Sequence, residues 1–226
     1  MNKKLMHLAA GALAAVALAA LPAMASAGEF SADCKSGANC SGKISGGVAE
    51  LENKKGERIK CTTFEGTANV SHATSTGQVS LILTDCREQV SFFKFFCNNT
   101  GTAGKIETGS HQTHLIYIEP NEATPGILIT SLNVTFNCEG FEKKTVTGNL
   151  IGHIENPNCN QYKPSHQVEF ARNGIGVQTY WTITTAKAGY YPSSNKDVVG
   201  EAYIESSIIG TGTITWTNDE VKLTCK

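Results

Sequence analysis

Gly77-Gln78-Val79-Ser80-Leu81-Ile82-Leu83-Thr84-Asp85-Cys86 decides the fold class. Val79, Leu81 and Leu83 fall at every second position and share one face. Ser80 and Thr84 share the other with Ile82. A period of two belongs to a half-buried strand; a helix would repeat its apolar residues at three and four. Residues 58–63 repeat the pattern with Ile59, Cys61 and Thr63. Working outward, strand-like stretches recur at 113–118, 127–138, 144–154, 167–170, 179–184, 202–208, 212–217 and 220–225. Between them stand turn formers: Pro120-Asn121, Pro125-Gly126, Asn156-Pro157, Pro192-Ser193 and Asn218-Asp219. No segment beyond the N-terminal region has convincing amphipathic-helix periodicity. The reading is all-β: many short antiparallel strands in a β-sandwich or β-barrel.

The N-terminus reads differently. Lys3 and Lys4 precede an apolar run over residues 8–21, Pro22 ends it, and Ala25-Ser26-Ala27 offers small residues for cleavage. That is the pattern of a secretory signal peptide over residues 1–27, with cleavage after Ala27 expected and Ala25 as the competing site. The run is short for a membrane span, and no basic stop-transfer cluster follows. Cleavage would shorten the 226 residues to 199. The 19 basic residues would become 17 against 20 acidic, a net charge of −3. Such a chain lacks the cationic surface of a nucleic-acid-binding domain. The expected product is extracytoplasmic, secreted or envelope-associated, with no nucleic-acid partner and no stable membrane insertion. Residues 28–54, rich in Gly and Ser, read as an N-terminal arm or edge segment. Residues 55–226 read as a single all-β domain.

Cys34, Cys40, Cys61, Cys86, Cys97, Cys138, Cys159 and Cys225 form an even set. On an oxidising route they predict a disulfide framework. Zinc-type spacing and the Cys-x-x-Cys redox pair are both absent. Loop length suggests Cys34–Cys40, Cys86–Cys97, Cys61–Cys138 and Cys159–Cys225. The competing arrangement pairs Cys61 with Cys86 and Cys97 with Cys138.

Residues 96–106, Phe-Cys-Asn-Asn-Thr-Gly-Thr-Ala-Gly-Lys-Ile, resemble a Cys-x-x-x-Gly-x-Ala-Gly-x-Ile segment of secreted actinobacterial β-sheet proteins of unknown function. Ile59-Lys60-Cys61-Thr62 and Leu83-Thr84-Asp85-Cys86 are similar to earlier cysteine strands of that group. Phe136-Asn137-Cys138-Glu139-Gly140, followed by residues 146–152, resembles a later one. The likeness spans roughly residues 55–220. It implies secretion and β structure, and it leaves Cys34, Cys40, Cys159 and Cys225 to pair among themselves. It carries no catalytic residue.

Chemistry-bearing patterns are sparse. His111 and His114 are the closest histidine pair, but on a strand they point to opposite faces. There is no His-Glu-x-x-His motif and no Gly-x-Ser-x-Gly elbow. Asp85, Glu119, Glu139, Glu169 and Glu205 are the carboxylates from which a glycosidase pair would be drawn. No catalytic residue, metal ligand or cofactor is assigned. Aromatic residues are more informative. Phe92, Phe93, Phe95 and Phe96 occupy four of five positions, so as a strand they cannot all face one core. Some must cover a second layer or form an exposed patch. Tyr180, Trp181, Tyr190, Tyr191 and Trp216 would make a sugar-stacking platform if they share a face; otherwise they are strand-packing residues. These nine residues are the candidate interaction surface. The first functional expectation is a cell-envelope or extracellular binding module whose partner is a cell-wall glycan or a surface protein. A secreted carbohydrate-active hydrolase and a self-associating structural surface protein are the alternatives.

Overall fold

The structure, a computed structural model, describes residues 30–118, 124–140, 143–172, 192–196 and 204–225. The expected signal peptide, strand 179–184, Glu119, Tyr180, Trp181, Tyr190 and Tyr191 lie outside them. Fifteen strands occur among the described residues: β1 Ser31–Cys34, β2 Cys40–Asn53, β3 Arg58–Cys61, β4 Thr63–Val70, β5 Thr76–Thr84, β6 Arg87–Val90, β7 Phe93–Asn98, β8 Ile106–Ile118, β9 Thr124–Cys138, β10 Lys144–Glu155, β11 Tyr162–Lys163, β12 Ser165–Phe170, β13 Pro192–Lys196, β14 Ile204–Trp216 and β15 Val221–Thr224. The all-β, disulfide-stapled fold is therefore present, and every pairing is antiparallel.

Hydrogen bonding closes the large sheet on itself. One circuit runs β2–β4–β5–β8–β9–β10–β12–β14 and back to β2. A second runs β2–β3–β6–β7–β9–β10–β13–β14 and back to β2. The long strands β2, β9, β10 and β14 belong to both circuits, so the two rings form one continuous barrel wall. Register shifts occur between Ser80 and Ile82, Gly148 and Leu150, and Gly210 and Gly212. Such bulges add the local twist and bend that closure requires.

The interior follows from strand alternation. Along β9, Ile127 joins the upper apolar cluster, Ile129 and Leu132 the middle one, and Val134, Phe136 and Cys138 the lower one. β10 runs the opposite way and contributes Val146, Leu150 and Ile154 to the lower, middle and upper clusters in turn. A small sheet of order β1-β15-β11 plugs the upper mouth. Its Ala32, Val221 and Leu223 pack with Val70, Leu115 and Val168 of the barrel.

Residues 28–54, read as an arm or edge, contribute β1 to this plug and β2 to the wall. β2 is flanked on both sides, by β14 and by β4 and β3. Its glycines weaken the local strand signal because they carry no side chain to alternate. One of them is required by packing. A Cβ on Gly46 would lie 2.1 Å from Phe64 Cζ, and one on its cross-strand partner Gly212 would lie 2.9 Å from Phe64 Cε2. The Phe64 ring fills the space the two glycines leave. Gly46→Ala is expected to cost about 1–3 kcal/mol through overpacking. Gly47→Ala, where an added Cβ meets nothing within 4 Å, should change stability by less than about 1 kcal/mol. Urea unfolding of the two variants checks this; equal midpoints would show that the Phe64 contact is not limiting.

Four disulfides join Cys34–Cys40, Cys61–Cys86, Cys97–Cys138 and Cys159–Cys225. The first and last are as expected from loop length. The expected Cys86–Cys97 and Cys61–Cys138 bonds are incorrect, and the competing arrangement is the one that forms. Sheet order β3-β6-β7-β9 sets Cys61, Cys86, Cys97 and Cys138 in one row. The central neighbours are joined by a backbone hydrogen bond from Cys97 N–H to Cys86 O, 2.9 Å, the widely spaced kind of antiparallel pair. The flanking pairs stand only 3.9 Å apart at Cα. Each central cysteine therefore bonds outward.

Candidate functional site

The β6–β7 hairpin ends the barrel wall at its lower mouth. Val90 pairs with Phe93, leaving Ser91 and Phe92 as a two-residue turn. Ser91 has φ 54°, a left-handed position that such turns usually give to glycine. The turn leaves Phe92 98% exposed, with Phe93 at 68% and Val90 at 39%. Phe95 is half-buried, its ring 6.4 Å from that of Phe93. Phe96 is also half-buried, with the Arg87 guanidinium 4.3 Å from its ring centre. The four phenylalanines thus divide by their distance from the turn, while alternation sets Phe93 and Phe95 on one face of the hairpin. Phe92 and Phe93 form an exposed apolar tip, and Phe95 and Phe96 lie against the hairpin.

A buried ion pair stands behind the tip. Lys144 Nζ of β10 donates to Glu88 Oε1 of β6 at 2.6 Å and lies 3.5 Å from Glu57 Oε2. Lys144 and Glu88 are buried, and Glu88 Oε2 has no hydrogen-bond partner among the described residues. Asn53 supports the group by donating to Glu57 Oε2 at 2.9 Å. On the adjoining wall, the fully buried Glu52 accepts hydrogen bonds from Arg58 and Arg172.

The upper mouth carries different chemistry. Asp33 accepts hydrogen bonds from Lys222 Nζ at 2.6 Å and Tyr162 Oη at 3.0 Å. These two donors, Lys222 first, hold the Asp33 carboxyl below the usual carboxylate range. His72 Nδ1 accepts the Cys34 N–H at 3.2 Å, so the ring is oriented by backbone. The cluster fastens the plug through β1, β11 and β15.

Beneath the plug, Trp216 Nε1–H donates to His166 Nδ1 at 3.0 Å. Trp216 is half-buried against the upper core, and the other four residues of the sugar platform considered above lie outside the described residues. His166 is 6% exposed, and its Nε2 has no protein partner. Burial, with Lys163 as a lesser cause, lowers its pKa to about 4. The folded value lies below the ordinary 6.5, so between these two values the unfolded chain binds the proton more strongly. Stability is complete above pH 6.5 and falls as pH drops towards 4, by about 3 kcal/mol from this group. Urea unfolding across that range measures the loss. His166→Gln should remove this part of the slope, and an unchanged slope would assign the pH dependence elsewhere.

Among the described residues, two interior cavities measure ≈50 Å³, beside His166, and ≈100 Å³, among Leu51, Ile59, Leu132 and Phe136. Both are well below the roughly 300 Å³ at which small-molecule pockets begin. An open depression of ≈440 Å³ lies at the plug between Phe30, Ala73, Tyr117 and Thr224. His111 and His114 lie on β8, where His111 Nε2 is 2.8 Å from Thr108 O. Among the described residues, no three His, Cys, Asp or Glu side chains gather in metal-binding geometry. Of the carboxylates considered for hydrolysis, Asp85 accepts from Arg87 at 2.9 Å, Glu139 is in the β9–β10 turn and Glu169 is on β12. The Glu119 and Glu205 side chains lie outside the described set. Among the described residues, no helix is long and apolar enough to cross a membrane.

The buried ion pairs were the features least accessible to sequence reading. The run of phenylalanines signalled the tip. Glu88 and Lys144 are 56 positions apart, and nothing local links them. No family model matches the chain, and neither a curated protein nor a solved structure matches it. The chain is a disulfide-rich, all-β protein whose described residues expose an aromatic hairpin tip.

Proposed function

We propose that this is an extracytoplasmic binding module that makes contact through the β6–β7 hairpin tip. The exposure of Phe92 and Phe93 carries the reading. Two adjacent large aromatic side chains left in water are an interaction feature, not a requirement of the fold. Secretion is supported by the leader pattern at residues 1–27, by the absence of a free cysteine among the eight and by the resemblance to secreted actinobacterial β-sheet proteins.

The test compares the mature protein with Phe92→Ser/Phe93→Ser in co-sedimentation with isolated bacterial cell envelopes. Wild type should sediment with them. The variant should bind roughly tenfold less while its thermal midpoint changes little, because the tip supports no core. Equal binding by the two proteins would overturn the proposal.

A further inference from the structure

We infer that the hairpin tip docks on the interfacial region of an anionic lipid bilayer, with Phe92 and Phe93 as apolar anchors and neighbouring lysines meeting the headgroups. This rests on the binding-module reading and names the partner's chemistry.

The shape of the tip argues first. Phe92, Phe93 and Val90 are exposed together at a two-residue hairpin turn. A stable protein–protein interface buries about 800 Å² on each partner. Two aromatic side chains supply about 150–250 Å² each, so the tip alone falls short of one. A bilayer interface needs no matching surface, because a short wedge enters it by displacing headgroups.

Charge around the tip argues second. Arg58 pairs with Gln89, which sets the β2–β3 turn, with exposed Lys54 and Lys55, beside the tip. Exposed Lys94 follows Phe93, and exposed Lys143 precedes β10 at the same mouth. The local acids are mostly engaged: Glu57 and Glu88 by Lys144, and Asp85 by Arg87. Among the described residues of the adjoining turn, Glu139 is the exposed acid, and the turn also contains Glu142, outside the described residues. Apolar anchors ringed by lysine suit an anionic interface. The opposite mouth mixes Asp33, Asp219 and Glu220 with Lys35 and Lys222 and has no such ring.

Rigidity argues third. Cys86 adjoins the first residue of β6, and Cys97 lies in β7. Each is bonded to a neighbouring strand, through Cys61 and Cys138. Both arms of the hairpin are therefore pinned at its base, and only the four-pair β6–β7 ladder separates these bonds from the tip, which limits the conformational freedom lost on docking. Contact of this kind is reversible and superficial, and it requires no spanning segment.

The experiment is co-sedimentation of the mature protein with phosphatidylcholine vesicles, with and without an equal part of phosphatidylglycerol, and with envelopes before and after lipid extraction. Binding should be at least tenfold stronger to the anionic vesicles and should weaken in high salt. Phe92→Ser/Phe93→Ser and, separately, Lys54→Glu/Lys55→Glu/Lys94→Glu should each reduce it roughly tenfold or more. Circular dichroism should show both variants folded. If envelope binding depends on Phe92 and Phe93 but survives lipid extraction, with no vesicle binding, the binding-module reading stands and the lipid inference fails. If neither vesicles nor envelopes are bound, both fail. A dimer in sedimentation velocity that Phe92→Ser/Phe93→Ser dissolves would make a second copy of the chain the occupant and would also overturn the inference.

Discussion

Lys144→Met is expected to destabilise the protein by about 3–5 kcal/mol, the range for a buried ion pair that loses one partner. Lys144 and Glu88 are held 2.6 Å apart, and both are buried. Methionine fills most of the lysine volume, so the loss comes from charge and not from a cavity. The Glu88 carboxylate would be stranded with both oxygens lacking a strong donor, and with the Glu57 carboxylate close to the vacated position. Removing both partners should behave differently. Lys144→Met/Glu88→Leu places apolar groups on the inner face of the lower barrel, and such replacements are often neutral or stabilising. Urea unfolding of the two single variants and the double variant measures the coupling. A double variant at least as unstable as Lys144→Met would show that the pair contributes through packing and not through charge.

Cys97→Ala/Cys138→Ala is the second large effect, about 4 kcal/mol in the chain-entropy model. The bond closes a separation of 41 residues. It also joins β7 to β9, where the ladder contains only the pairs Cys97–Cys138 and Asn98–Asn137. Elsewhere the wall includes longer ladders, such as the ten pairs between β2 and β14, and one ladder equally short, the two pairs between β13 and β14, which no disulfide spans. The lower ring is therefore expected to open first at the β7–β9 seam. Hydrogen exchange should rise in β6 and β7 while the β2–β14 ladder stays protected. Uniform loss of protection across both rings would mean that the barrel unfolds as one unit and that the seam is not its weak point.

Much of the strand content was legible locally. Alternation in residues 77–86 and 144–154 corresponds to β5 and β10 within two residues at either end, because a wall with one buried face imposes a period of two. The stretches 202–208 and 212–217 read as two strands because glycines at 210 and 212 break the pattern. In the fold they are one strand, β14, with a register shift between those glycines. β2 was the hardest to read. Its Gly42 and Gly46 stand where neighbouring side chains from β14 and β4 occupy the interior, and a pattern supplied by other strands leaves no mark in the segment itself.

The aromatic site was half legible. Four phenylalanines in residues 92–96 established that one face was insufficient for them. Only the two-residue turn at Ser91 and Phe92 decided that Phe92 would project and Phe96 would lie beneath Arg87. The sequence by itself determined what depends on near neighbours: strands instead of helices, and an even set of cysteines suited to bonding. The tertiary structure alone decided which strands are adjacent. That choice fixed the closure of the two rings, the outward pairing of Cys86 and Cys97, and the meeting of Glu88 with Lys144. Each joins residues distant in the chain, and their energies come from contacts that exist only once the barrel has closed.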